Sequence, residues 1–178
     1  MNISEYIVNE LSKYKIDTVF AVTGGGSMYL NDAFGKNKNF KCIYLHHEQS
    51  CSMAADVYAR VKKKPAVVCV TTGPGGINAI NGVFGAYTDS SPMIIISGQV
   101  KRETNMSFRK KNKLRQLGDQ ENEIIYMIKK ITKKSILIKK KEDLFKNLKL
   151  LIKESFSGRP GPVWIDIPID IQGEKIRK

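Results

Sequence analysis

Six short apolar runs punctuate the chain: TVFAV, FKCIYLH, PAVVCVTT, PMIIISG, KSILI and GPVWIDIPID. Segments with helical spacing lie between them. ISEYIVNELSKY sets Ile3, Tyr6, Ile7 and Leu11 on one face, SMYLNDAFG runs to Gly35 as an expected C-terminal cap, and YLHHEQSCSMAADVYARV supplies the next helix. INAINGVFGAYTDS, QENEIIYMIKK and EDLFKNLKLLIKESF complete the set, the second of them preceded by a polar, basic connection. Strands that alternate with helices need crossover connections, which predicts an α/β chain with a single doubly wound, mostly parallel sheet and helices on both faces. In such sheets ligands bind beyond the carboxyl ends of the strands, near the point where strand order reverses.

At 178 residues the chain suits one domain, read here as spanning 1–178. No run approaches the roughly 18 apolar residues of a membrane span, and the start MNISEYIVNELSKY is no secretion signal, so a cytoplasmic protein with no membrane partner is expected. Cys42, Cys51 and Cys69 lack metal-ligand spacing and read as buried free thiols of a reducing compartment. The net charge of +13 concentrates in VKRETNMSFRKKNKLR and IKKITKKSILIKKKEDLFKNLKLLIK without interleaved aromatic residues. Solvated faces explain that pattern, and no specific nucleic-acid binding is expected.

Two glycine-rich breaks, TGGGS at 23–27 and TTGPGGIN at 71–78, each lead from a strand into a helix, where free N–H groups suit an anion or a flat ligand. Neither completes a dinucleotide or P-loop fingerprint: Tyr29 and Asn78 stand where a third glycine would be needed. Tight turns that let a helix approach the sheet explain both equally well. Glu48, at the junction of an apolar strand and a small-residue helix, reads as an N-terminal helix acid or as a functional carboxyl.

HHEQSCSMAADVYAR, TTGPGGINAINGVFGAYTDSSPMIIISGQV, LRQLGDQE and SGRPGPVWIDIPIDIQ, in that order and nearly end to end, resemble the amino-terminal pyrimidine-binding domain of thiamine diphosphate enzymes of the acetolactate synthase group. The resemblance implies a flavodoxin-like, thiamine-diphosphate-binding fold. It also implies that Glu48 of the HEQ motif meets N1′ of the cofactor's aminopyrimidine and, with its neutral form favoured in a water-poor crevice, shares a proton with it. The pyrimidine then relays a proton from the thiazolium, whose carbanion attacks a 2-keto acid such as pyruvate. Gly24, Gly25 and Gly26, then Thr72, Gly73, Pro74 and Gly75 with Asn78, are implied to line the pyrimidine pocket. Gln120 matches the family's active-site glutamine, with Gln116 as the alternative, and His47 matches the motif histidine in a functional or a merely structural role.

Members of that group continue into a central domain and a diphosphate-binding domain whose GDG motif holds Mg²⁺. No GDG occurs here: Gly118 and Asp119 are followed by Gln120. The chain is therefore expected to be inactive alone, with no metal ligand of its own, as a fragment of a longer enzyme in preference to a separate subunit. A diphosphate-binding domain or subunit, a homodimer partner across the face near Glu48 and the INAINGVFGAY helix, and FAD in the complete enzyme are further implications. The competing reading is a non-catalytic doubly wound module that binds a nucleotide or a protein.

Overall fold

The computed structural model describes residues 1–109 and 114–176, so residues 110–113 of the basic connection lie outside it. The elements run α1 (Ile3–Lys13), β1 (Thr18–Ala21), α2 (Met28–Lys36), β2 (Lys41–Tyr44), α3 (Glu48–Lys62), β3 (Ala66–Val70) and α4 (Pro74–Thr88). They continue with β4 (Met93–Gln99), α5 (Ile124–Ile128), β5 (Lys134–Leu137), α6 (Lys141–Phe156), β6 (Pro162–Pro168) and α7 (Ile169–Gln172). All six strands pair in parallel in the order β2-β1-β3-β4-β6-β5. The doubly wound α/β architecture read from the alternation is the one found.

The central strands β1, β3, β4 and β6 are buried at every position because helices cover both faces. Successive side chains still alternate: Val67 and Cys69 join the core under α1, α2 and α6, whereas Ala66, Val68 and Val70 join the core under α3, α4 and α5. The edge strands β2 and β5 are short, four residues each, and carry exposed Lys41 and Lys134, which discourages further strand addition. No described helix is long and apolar enough to cross a membrane.

Three element boundaries differ from the sequence expectation. Gly35 lies inside α2, which runs on to Lys36 and is capped by Asn37 in extended conformation. The expected QENEIIYMIKK helix is formed only over Ile124–Ile128: Gln120, with a positive φ of 53°, lies outside the helical region, and Glu123 is still non-helical at φ −87°, ψ 63°. The expected last strand stops at Pro168, and Ile169–Gln172 turns into a helix. Pro168 supplies the break: it offers no N–H to continue the ladder and sits in the extended conformation that precedes a helix.

Candidate functional site

After β1 the chain visits β2 on one side, then returns to place β3 on the other, so strand order reverses between β1 and β3. The two glycine-rich loops follow those two strands and flank the reversal. Thr71, at the end of β3, stands between them. Its hydroxyl accepts a hydrogen bond from the Gly26 N–H (3.0 Å), and its side chain fills the space beside both Gly24 and Gly75. A β-carbon at Gly24 would lie 2.5 Å from Thr71 Cβ, and one at Gly75 would lie 2.9 Å from Thr71 Cγ2. One threonine thus holds the loops in register. It was not among the expected site residues, since a β-branched residue ending an apolar run reads as strand.

On one side of Thr71 lies a carboxylate group. Glu48 opens α3 and is 9% exposed. Asn78, one turn into α4, donates from Nδ2 to Glu48 Oε2 at 2.9 Å, and Oε1 faces the bare α-carbon of Gly75. The preceding His47 is exposed and caps the helix, its Nδ1 accepting from the Gln49 N–H (3.1 Å), which is the structural alternative for this histidine. Cys51, one turn beyond Glu48, is buried; burial first and the Glu48 charge second push its thiol up to about 11. All three cysteines are free.

Thr71 also lines a cavity of about 490 Å³. Gly25, Gly26, Thr72 and Gln120 line it together with Thr71 itself, Gln99, Lys101 and Ile169. Gly25 is the open position: no atom lies within 4 Å of where its β-carbon would be. Thr72 is structural in part, because its hydroxyl donates to the Gly98 carbonyl (2.9 Å). Gly73 has φ +64°, and the backbone carbonyl of Gln120 packs where its side chain would start. Pro74 occupies the first turn of α4, where a missing N–H costs nothing. Of the two candidate glutamines, Gln120 reaches the cavity wall, while Gln116 donates to the Glu121 carbonyl (2.8 Å) and stays away.

Gln99 continues from the cavity wall into a buried polar chain. Its Nε2 donates to Asp166 Oδ2 (3.0 Å), Ser97 donates to Asp166 Oδ1 (2.6 Å), and Trp164 Nε1 donates to Ser97 Oγ (2.7 Å). Burial pushes the Asp166 carboxyl up to about 7, against the smaller opposing pull of the Ser97 and Gln99 hydrogen bonds. These residues were invisible as a group in the sequence because β4 and β6 become neighbours only through the insertion of β6 beside β4.

Gly25 and Gly26 thus present bare backbone on the cavity wall, against which a flat group can lie, whereas Glu48, Asn78 and Gly75 stand next to Thr71 without lining that cavity. Residues 1–122 match the family described as thiamine pyrophosphate enzyme, N-terminal TPP binding domain. The chain is 39% identical to the acetolactate synthase large subunit of Haemophilus influenzae over 94% of its length and 28% of that protein's. It is 35% identical to the chloroplastic acetolactate synthase of Arabidopsis thaliana, over 95% of this chain and 24% of that protein, and 32% identical to the mitochondrial acetolactate synthase of Schizosaccharomyces pombe, over 93% and 24%. The chain spans about a quarter of the length of these relatives. Fold, site and similarity together place this chain in the thiamine pyrophosphate enzyme family, as its N-terminal TPP-binding domain.

Proposed function

We propose that the chain supplies the aminopyrimidine-binding half of a thiamine-diphosphate-dependent, acetolactate synthase-like enzyme that acts on a 2-keto acid such as pyruvate. The observation that carries this reading is the arrangement of Glu48, Asn78 and Gly75. Asn78 occupies Oε2 with a donor, so the proton that Glu48 holds or passes is directed to Oε1. Gly75 keeps the approach to that oxygen free of side chain, and the backbone at Gly25 and Gly26 would carry the ring face. When bound, the cofactor supplies the carbanion chemistry that 2-keto acid cleavage requires. Gln120, exposed on the cavity wall, is suited to orient the substrate.

The diphosphate and its Mg²⁺ would be held by a domain or subunit outside this chain, across a shared cleft. A second copy is the partner that suits the outer faces of α3 and α4. There Met53, Val57 and Val61 form an exposed i, i+4, i+8 stripe beside Ile77, Phe84 and Tyr87, a surface too apolar to be left in water without reason. Glu48→Gln in the complete enzyme tests the reading. It removes the carboxyl proton function while keeping shape, and the expected loss in kcat is on the order of 10² to 10⁴ with an unchanged melting midpoint. Turnover close to wild type would overturn it.

A further inference from the structure

Gln172 is fully buried in α7, and its amide nitrogen donates twice, to the Gly26 carbonyl (2.7 Å) and to the Ile167 carbonyl (2.8 Å). Among the described residues its Oε1 has no partner. A buried amide with an unpaired oxygen carries a desolvation cost that an apolar side chain of like size would avoid. The two donated hydrogen bonds are therefore what an amide contributes here. They tie the end of β6 to a loop whose Gly26 lies 146 residues before Gln172 in the chain.

The carbonyl that Gln172 grips belongs to a cavity-lining glycine. Gly26 is held on its other side by its own N–H, bonded to Thr71, and the Ser27 N–H closes the turn onto the Gly24 carbonyl (3.1 Å). The facing wall is tied to the same short helix. Arg102, next to the cavity-lining Lys101, donates from its backbone N–H to Asp170 Oδ1 (3.2 Å) and from Nε to Asp170 Oδ2 (2.6 Å), and it reaches Glu174 with Nη2 (2.8 Å). Ile169, at the start of α7, lines the cavity itself. One four-residue helix thus fixes two sides of the space below the glycine loop.

We propose that Gln172 is a positioning residue: its amide fixes the Gly26 carbonyl and so holds the glycine loop in the shape that receives the cofactor ring. The identity of the ring rests on the function proposed above, whereas the clamp is readable without any ligand. Amide hydrogen exchange on this chain tests it. Gln172→Met, which keeps length and removes both donors, is expected to speed exchange at Gly26 and Ser27 by about tenfold or more while the Val68 and Ile95 amides of the central strands stay unchanged. Ser4→Ala removes the hydroxyl bonded to the Gln172 backbone carbonyl (3.2 Å), away from the loop, and is expected to leave the loop amides as they are. Should Gln172→Met fail to fold, Gln172→Asn, with both donors drawn back by one methylene, is read in the same way.

In the complete enzyme the same Gln172 variant is expected to raise the Kd for thiamine diphosphate at saturating Mg²⁺ while kcat at saturating cofactor holds. Unchanged exchange at Gly26 and Ser27 overturns the clamp whatever the cofactor does. Faster exchange in a complete enzyme that binds no thiamine diphosphate even as wild type supports the clamp and overturns the proposed function instead.

Discussion

Gly73 shows how narrowly single residues shape the site. Its φ of +64° combined with ψ of −118° lies outside the left-handed region that residues such as Gln120 adopt, and a β-carbon there would lie 2.2 Å from the Gln120 carbonyl oxygen. Gly73→Ala should therefore cost about 2–4 kcal/mol, strain and clash together, measured as a shift of the urea midpoint at unchanged slope. A cost below about 0.5 kcal/mol, typical of a harmless surface change, would show that the turn relaxes freely. Glu48 and the two glycine loops stood out in the sequence as local features, a carboxyl at a helix start and glycines where a side chain would intrude, while Asn78 and the functional role of Glu48 came only through the family resemblance. Thr71, Gln99 and Gln172 escaped notice for the opposite reason. Each acts through a partner distant in the chain, and each by itself reads as an ordinary residue at the end of an apolar run.

Among the elements, α3 and α4 lie side by side because Gly82 removes a side chain at their crossing. A β-carbon there would meet Ser52 Oγ at 2.3 Å and the Met53 backbone nitrogen at 2.6 Å, and the backbone cannot rotate away as a side chain could. Gly82→Ala should therefore destabilise by about 1–3 kcal/mol despite the better helix propensity of alanine, as read by thermal unfolding; a stabilised variant would mean the helices separate at no cost. On the outer face of the same pair, Val57 is 51% exposed. Val57→Lys should leave the fold intact and weaken the self-association proposed for this face, seen as a lower sedimentation coefficient at fixed concentration; unchanged association would remove this face as the contact. The strands were legible because β-branched runs have few alternatives, and the long helices because their apolar spacing repeats. α7 was hidden because IPIDIQ alternates like a strand, and only Pro168 marks where the ladder can no longer continue.

For the whole molecule, the buried carboxyl of Asp166 couples stability to pH. Its pKa is raised from 3.8 to about 7 in the folded protein, so between those values the native state keeps a proton that the unfolded chain has released. Stability from this group is fully present below about pH 4, declines as pH rises, and is lost above about 7, with a slope of up to about 1.4 kcal/mol per pH unit. Asp166→Asn should abolish that component: the difference in unfolding free energy between wild type and variant then changes steadily from pH 4 to 7 and flattens above. A difference independent of pH would show that Asp166 is ionised throughout. The strand order that builds this network also sets a timetable. β6 is made last, yet it pairs between β4 and β5. During synthesis the inner edge of β4 waits for about seventy further residues, roughly 3 to 14 s at ribosomal speeds of about 5–20 residues per second. For that interval one edge of the apolar run MIIIS has no partner strand, an opening for wrong pairing that the completed domain no longer has.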